Sequence, residues 1–482
     1  MPSATTVISP LFWFYIAVQA GWLFWAVMNF IRRNDELPLV VAVFLAYCGS
    51  YRFLGAALGY YDWINLQPYG LAVSIDFNSA GMALGVLAFG QSVLLISYRM
   101  WQNKILVVQE QGLPGIVVSR LRNLLVFLTV VGLPIVLWAK YQFARLEATG
   151  QAGAFSGTAY VQQLPFVLVA LALFLFLVWR FGILRGFFEK SVALILLLVI
   201  GYLTFGTSGR FLFLGWIIGG SYIVSTLWFG LKRIPVLLAG AVIAMALFGV
   251  AGAMRDTSET DTIAAGIERT KQASDANMLD GLTFLMQVYP EMLPYEYGMG
   301  HIEILERPIP RKLWPGKPAG GYMNKLGLFN AGSSVEIGIS PTLFGSFYQE
   351  GGVAGVFIFS IIYGWVMARM VRYSMELRPL FGVMIRAGLI AGLIPLLRGG
   401  DLPGIYAWLG MAFWPMLFFM WWNRDYLRPG VANPPLKTSR RQRKQKQPQD
   451  QSPQALAPFS VTSSPEERES LKTNAEKLPG EI

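Results

Sequence analysis

Several stretches of this chain run for about 20 residues with almost no charged side chain, the length a helix needs to cross the hydrocarbon core of a bilayer. The first is Leu11–Phe30, and comparable runs recur as far as Trp422. Hydrocarbon offers no water to satisfy backbone polar groups, so only helices and closed barrels survive in it. A barrel would show weak alternation over segments of about ten residues, whereas the runs here are continuous. The expected fold class is therefore all-α, a polytopic integral membrane protein. Eleven spans fit, over residues 8–30, 37–59, 73–97, 122–143, 161–180, 190–206, 210–230, 234–254, 342–370, 380–397 and 404–423. Only 14% of residues are charged, against about 25% in soluble domains.

Four parts follow: spans one to eight (1–254), a long loop (255–341), the last three spans (342–424) and a polar tail (425–482). Lys and Arg in short loops set orientation, because they collect on the cytoplasmic side. Arg32-Arg33, Arg99/Lys104/Arg120/Arg122, Arg180/Arg185/Lys190, Lys232-Arg233 and Arg369/Arg372/Arg378 fall on alternate loops. They share one side if the N-terminus is outside and the C-terminus cytoplasmic. The first run lacks a basic leader and is followed by arginines, so it reads as a retained span and not a cleaved signal peptide. The tail is rich in Gln, Pro and Ser, without periodicity. It reads as disordered, with a basic block suited to anionic lipid headgroups. The net charge of +11 thus points to the membrane surface and not to nucleic acid.

Cations on the outer side need a reason. The long loop holds Arg307, Arg311, Lys312 and Lys317 with four prolines and Trp314 between Glu306 and Pro318. Arg210 and Arg398 lie in tight Gly-containing outer turns. Arginine grips phosphate through a planar fork, and a helix N-terminus after 206–209 also favours an anion. A phosphate-bearing ligand shared by these cations is expected, with Trp314 or Tyr348 stacking on a sugar ring. Glu336, Glu350, Asp401, Asp256 and His301 are candidate bases near them. Within the spans, Arg52, Asp76 and Arg386 are costly enough to require partners. Arg52 and Asp76 lie on adjacent spans and are expected to pair. Met278–Met292 is expected to lie on the membrane surface as an interfacial helix, with Tyr289, Tyr295, Tyr297 and Tyr322 at the interface.

Other chemistries lack their residues. One cysteine, Cys48, and one histidine, His301, exclude an internal disulfide and a Cys- or His-cluster metal site. No Gly-rich phosphate loop follows a strand, so no metal, nucleotide or other cofactor is expected. No internal repeat suggests a transporter.

Gly206-Thr-Ser-Gly-Arg210, Ile309-Pro-Arg311-Lys-Leu-Trp314-Pro-Gly-Lys317-Pro318 and Ile339-Ser-Pro-Thr-x-x-Gly345-x-x-Tyr348 together resemble the O-antigen polymerase (Wzy-type) family. The resemblance covers residues 190–425 and the span count, and the second element is its most specific part. It implies a nucleotide-sugar-independent glycosyltransferase in the bacterial inner membrane. Such an enzyme moves a glycan from undecaprenyl pyrophosphate onto the next lipid-linked repeat unit at the outer face. A flippase and a chain-length regulator are the implied protein partners. By the same resemblance Arg210 and Arg311 serve catalysis with Glu350 or Glu336 as the acid. Asp401, Lys317, Arg398, Arg307 and Arg52 are further site candidates by their own charge and position. An O-antigen ligase and a lipid-linked glycan flippase are the alternatives.

Overall fold

In the computed structural model the chain is described over residues 8–60, 62–64, 73–102, 112–148, 164–205, 210–228, 230–256, 277–306, 309, 313–317, 321–326 and 340–429. Among these residues the regular elements are helices. In order they are α1 (Pro10–Arg33), α2 (Leu37–Ala57), α3 (Phe77–Trp101), α4 (Gly115–Gln142), α5 (Leu164–Arg180), α6 (Phe187–Thr204) and α7 (Arg210–Ser225). Then come α8 (Ile234–Asp256), α9 (Met278–Val288), α10 (Met299–Glu306), α11 (Tyr322–Lys325), α12 (Thr342–Glu376), α13 (Pro379–Arg398) and α14 (Leu402–Trp422). Nine of the described helices are long and apolar enough to cross a membrane, and α5, the described part of α7, and α9 are shorter apolar helices. The tail beyond residue 429 lies outside the described residues.

Local chemistry sets the helix ends. Ser9 caps α1 through a bond from the Leu11 N–H, and Asn34 ends α1 in the left-handed region with φ 51°. Asp76 and Ser79 form a reciprocal capping box on α3, a pattern that satisfies two otherwise orphaned N–H donors. That is the role the structure gives Asp76, in place of the expected pairing with Arg52. The carboxylate lies at an exposed helix start, where a cap is worth more than a distant ion pair.

The bundle is built on close crossings. Helix α12 packs along α3, where a Cβ on Gly364 would lie 2.4 Å from the Leu94 carbonyl. There the Ser97 hydroxyl donates to the Ile361 carbonyl at 2.8 Å. Small residues and such bonds are what hold helices together where hydrophobic driving force is weak. Helix α5 is apolar on every side and buries every residue from Val167 to Val178 except Phe176, as expected of a helix enclosed by others. Gln19 of α1 donates to Gln91 of α3 at 3.0 Å and to the Leu45 carbonyl of α2 at 3.3 Å. On the outside, Phe24, Leu198 and Leu417 are exposed, as lipid-facing side chains should be.

Helix α9 departs from expectation. It does not lie on a surface; Met278 to Leu285 are all buried against α3 and α12. Tyr289 and Tyr322 are buried as well, while Tyr297 is exposed. The reason is Asp280. Its two oxygens accept from Arg52 Nε at 2.9 Å and Nη2 at 2.7 Å, with side-chain exposures of 4% for Arg52 and 1% for Asp280. An apolar helix carrying one acid buries best against the bundle that carries the matching cation. Arg386 is likewise partnered, near the opposite end. Glu36 pairs with Arg233 and lies 3.7 Å from Arg386, and neighbouring Asp35 accepts from Tyr98 at 2.9 Å, Gln102 at 2.6 Å and Asn29 at 3.0 Å.

Candidate active site

Helix α12 is not one helix. Gly351 (φ 175°, ψ 33°) and Gly352 (φ 63°, ψ −144°) interrupt its ladder, and only glycine adopts the second conformation without strain. Glu350 is the last residue before this break. The freed backbone is met by the loop before α10. The Glu296 N–H donates to the Gln349 carbonyl at 3.0 Å and the Tyr297 N–H to the Glu350 carbonyl at 2.9 Å. Tyr295 covers Gly352, where a Cβ would meet its hydroxyl at 2.8 Å.

The Glu350 side chain is 2% exposed and fully engaged. Oε2 accepts the Gly298 N–H at 2.6 Å, and Oε1 lies 2.8 Å from His301 Nδ1. The chain continues from His301 Nε2 to the Tyr363 hydroxyl at 3.2 Å, which in turn accepts from the Tyr406 hydroxyl at 2.8 Å. One proton assignment satisfies every link: Tyr406 donates to Tyr363, Tyr363 to Nε2, and Nδ1–H to Glu350. The imidazole is stacked on Phe359 at 4.1 Å, which fixes its plane. The result is a buried carboxylate whose orientation is set through three side chains on α10, α12 and α14.

More charges gather around it. Glu296, Glu303, Glu350 and Asp401 line a pocket of about 10 Å³, room for one water-sized group. Glu296 Oε1 accepts from Lys325 and from Gln349, while its Oε2 is buried without a hydrogen-bond partner among the described residues. Lys325 also lies 3.5 Å from Glu303. Burial would depress the Lys325 ammonium, but Glu296 and Glu303 hold it above the usual lysine range. Burial raises the Glu303 carboxyl, against the pull of Lys325. Among the described residues no group of three His, Cys, Asp or Glu is arranged to hold a metal.

Arg398 closes α13, and Gly399 and Gly400 lead into Asp401, the residue before α14. Gly399 (φ 70°) bridges to Thr342, and a Cβ there would lie 1.9 Å from the Thr342 carbonyl oxygen. Ser346 exchanges hydrogen bonds with Gly400, at 3.1 and 3.2 Å. These contacts bring Glu350, Asp401 and Arg398 to one end of the bundle. Helix α7 runs antiparallel to α13, with Gly219 against Ala387 and Gly215 against Ala391. Its first residue, Arg210, is therefore carried toward the same end.

Of the residues expected from sequence, Glu350, His301 and Asp401 belong to this site. Tyr348 packs edge-on against Tyr295, at 6.1 Å, and is partly buried. Arg52 is engaged with Asp280 on the neighbouring α9. Lys317 donates to the Ile309 carbonyl at 2.9 Å and so folds back on its own loop beside a half-exposed Trp314. Arg307, Arg311, Lys312 and Glu336, with the side chains of Arg210 and Asp256, lie outside the described residues. Glu296, Glu303, Lys325, Tyr363 and Tyr406 were missed by sequence reasoning. The acids and the lysine read as ordinary loop charges, and the tyrosines as ordinary residues of apolar spans. No protein-family model, no curated protein and no solved structure matches the chain.

Proposed function

We propose that this chain is a membrane glycosyltransferase that polymerises lipid-linked oligosaccharide repeat units at the outer face of the bacterial inner membrane. In this reading the chain crosses eleven times, with the N-terminus outside and the tail in the cytoplasm. The observation that carries the proposal is Glu350. An acid expected at the outer end of the ninth span lies at a helix break, held by His301 and the Gly298 N–H. It faces a pocket the size of a hydroxyl group.

Glycosyl transfer needs a base for the acceptor hydroxyl and cations for the leaving pyrophosphate. Glu350 takes the proton, and the chain through His301, Tyr363 and Tyr406 keeps its carboxylate aimed. Arg210, Arg311, Lys317 and Arg398 meet the pyrophosphates of undecaprenyl-linked donor and acceptor. The test is complementation of cells that lack the protein. Glu350→Gln, and Arg210→Ala or Arg311→Ala, should abolish long glycan on a chain-length ladder while protein levels hold. A full ladder from Glu350→Gln sinks the proposal. A histidine against the acid also suits an O-antigen ligase, which moves finished glycan to lipid A core. Long lipid-linked glycan accumulating without the protein would favour that reading, and single repeat units the polymerase.

A further inference from the structure

A second cavity lies at the far end of the bundle from Glu350. It has a volume of about 710 Å³, within the range of small-molecule sites. It opens between the start of α4, the turn from α5 to α6, and the start of α13. Three guanidinium groups, Arg122, Arg180 and Arg185, line it with no carboxylate among the described lining residues, and Leu113, Phe181 and Ile183 supply apolar wall.

Two of the arginines are held in place by the fold. Arg180 donates through Nε to the Thr226 hydroxyl at 3.0 Å and through Nη2 to the Thr226 carbonyl at 2.9 Å. Arg122 donates through Nη2 to the Ile183 carbonyl at 2.8 Å. Among the described residues the acid paired here is Glu189, 3.6 Å from Arg122, and it caps the Arg185 N–H at 2.8 Å. The Arg185 side chain is exposed and makes no hydrogen bond among the described residues. The turn that carries it is rigid, because Gly182 (φ 62°) lets the Gly182 and Ile183 N–H groups close onto Trp179 and Val178 at 3.2 and 3.0 Å. Just beyond, Phe187 and Phe188 are 88% and 79% exposed, suited to the apolar side of a membrane interface. Positive charge over an apolar wall at a membrane edge matches a lipid headgroup better than it matches a soluble anion.

We propose that this cavity is a lipid site that holds the phosphodiester headgroup of an anionic glycerophospholipid between Arg122, Arg180 and Arg185. Phe181 and Leu113 take the glycerol and the first acyl carbons. The proposal does not depend on the reaction at the other end of the bundle.

The test uses full-length protein in neutral detergent, titrated with phosphatidylglycerol, phosphatidylcholine or inorganic phosphate at matched phosphate. Thermal unfolding is followed by tryptophan fluorescence. The unfolding midpoint should rise saturably with phosphatidylglycerol alone. The half-saturating lipid concentration should increase about fivefold in Arg185→Gln and tenfold or more in Arg185→Glu, since one cation near a surface contributes about that much. Both variants should match wild type in phosphatidylcholine. Equal response to phosphatidylcholine, or unchanged titrations in variants that unfold normally, overturns the proposal. Equal protection by inorganic phosphate overturns the lipid assignment. Should the variants fail to fold, native mass spectrometry of wild type decides. Retention of phosphatidylglycerol over phosphatidylcholine supports the site, and no preference rejects it.

Discussion

Replacing Arg52 with methionine should destabilise the protein by about 3–5 kcal/mol at neutral pH, because it strands a buried charge. The geometry says which charge. Asp280 holds two bonds from the guanidinium and one from the Ile64 N–H at 3.1 Å. In the variant only the last remains, so the carboxylate stays buried with one bond in place of three. Asp280→Leu strands the guanidinium in the same way and should cost a similar amount. The double variant, Arg52→Met with Asp280→Leu, should recover to within about 1 kcal/mol of wild type, as buried pairs replaced by apolar residues commonly do. Denaturant unfolding of the four proteins in detergent at pH 7 measures all of this. An Arg52→Met penalty under about 1 kcal/mol, or a double variant no better than the worse single, would refute the reasoning.

Other consequences are checkable in the same preparations. Gly399→Ala should cost about 3 kcal/mol or more, from overpacking and left-handed strain together, since the new Cβ meets the Thr342 carbonyl. Gly59→Ala, with similar φ but open space, should cost only about 1–2 kcal/mol. Lys325→Met should lose about 1–3 kcal/mol from the bonds to Glu296 and Glu303. The ammonium is held above its ordinary range, so its contribution is complete below that range and is lost only as pH rises through it. The difference from wild type should stay flat from pH 6 to about 9 and fade above about 10.5. Under the proposed reaction, Glu350→Gln should lower the rate of transfer in membrane vesicles by about 10²–10⁴. Tyr363→Phe, which removes both the donor to His301 and the acceptor for Tyr406, should lower it by about tenfold.

The apolar spans could be read from the chain because a bilayer imposes one length on all of them, and composition alone reports it. Glu350 could be read too, as an acid entering a Gly-rich span. What could not be read was partnership. Arg52 demanded a counter-charge, and the nearest acid on an adjacent span was Asp76. The actual partner is Asp280, far along the chain, on a helix too short to cross a membrane. Nothing in the periodicity of Met278–Val288 distinguishes burial in a bundle from burial in a lipid surface. Arg386 posed the same problem, and its answer, Glu36, was hidden among the charges between two spans. The pocket acids were invisible for a different reason. Glu296, Glu303 and Lys325 come together only because the loop folds back to satisfy the broken end of α12.

That break also separates two structural tasks along one helix. From Val353 to Glu376 the chain rises about 36 Å, enough on its own to cross a hydrocarbon core of about 30 Å. The turns from Thr342 to Glu350 are thus surplus to crossing. Within an unbroken helix, inserting or deleting one residue rotates everything beyond it by about 100°. Here the interruption at Gly351–Gly352 stops that rotation from propagating. The segment carrying Glu350 is indexed by its bridge to Gly399 and by the Glu296–Tyr297 backbone, and the membrane-crossing part by α3. Each can change length or side chains without resetting the angular phase of the other.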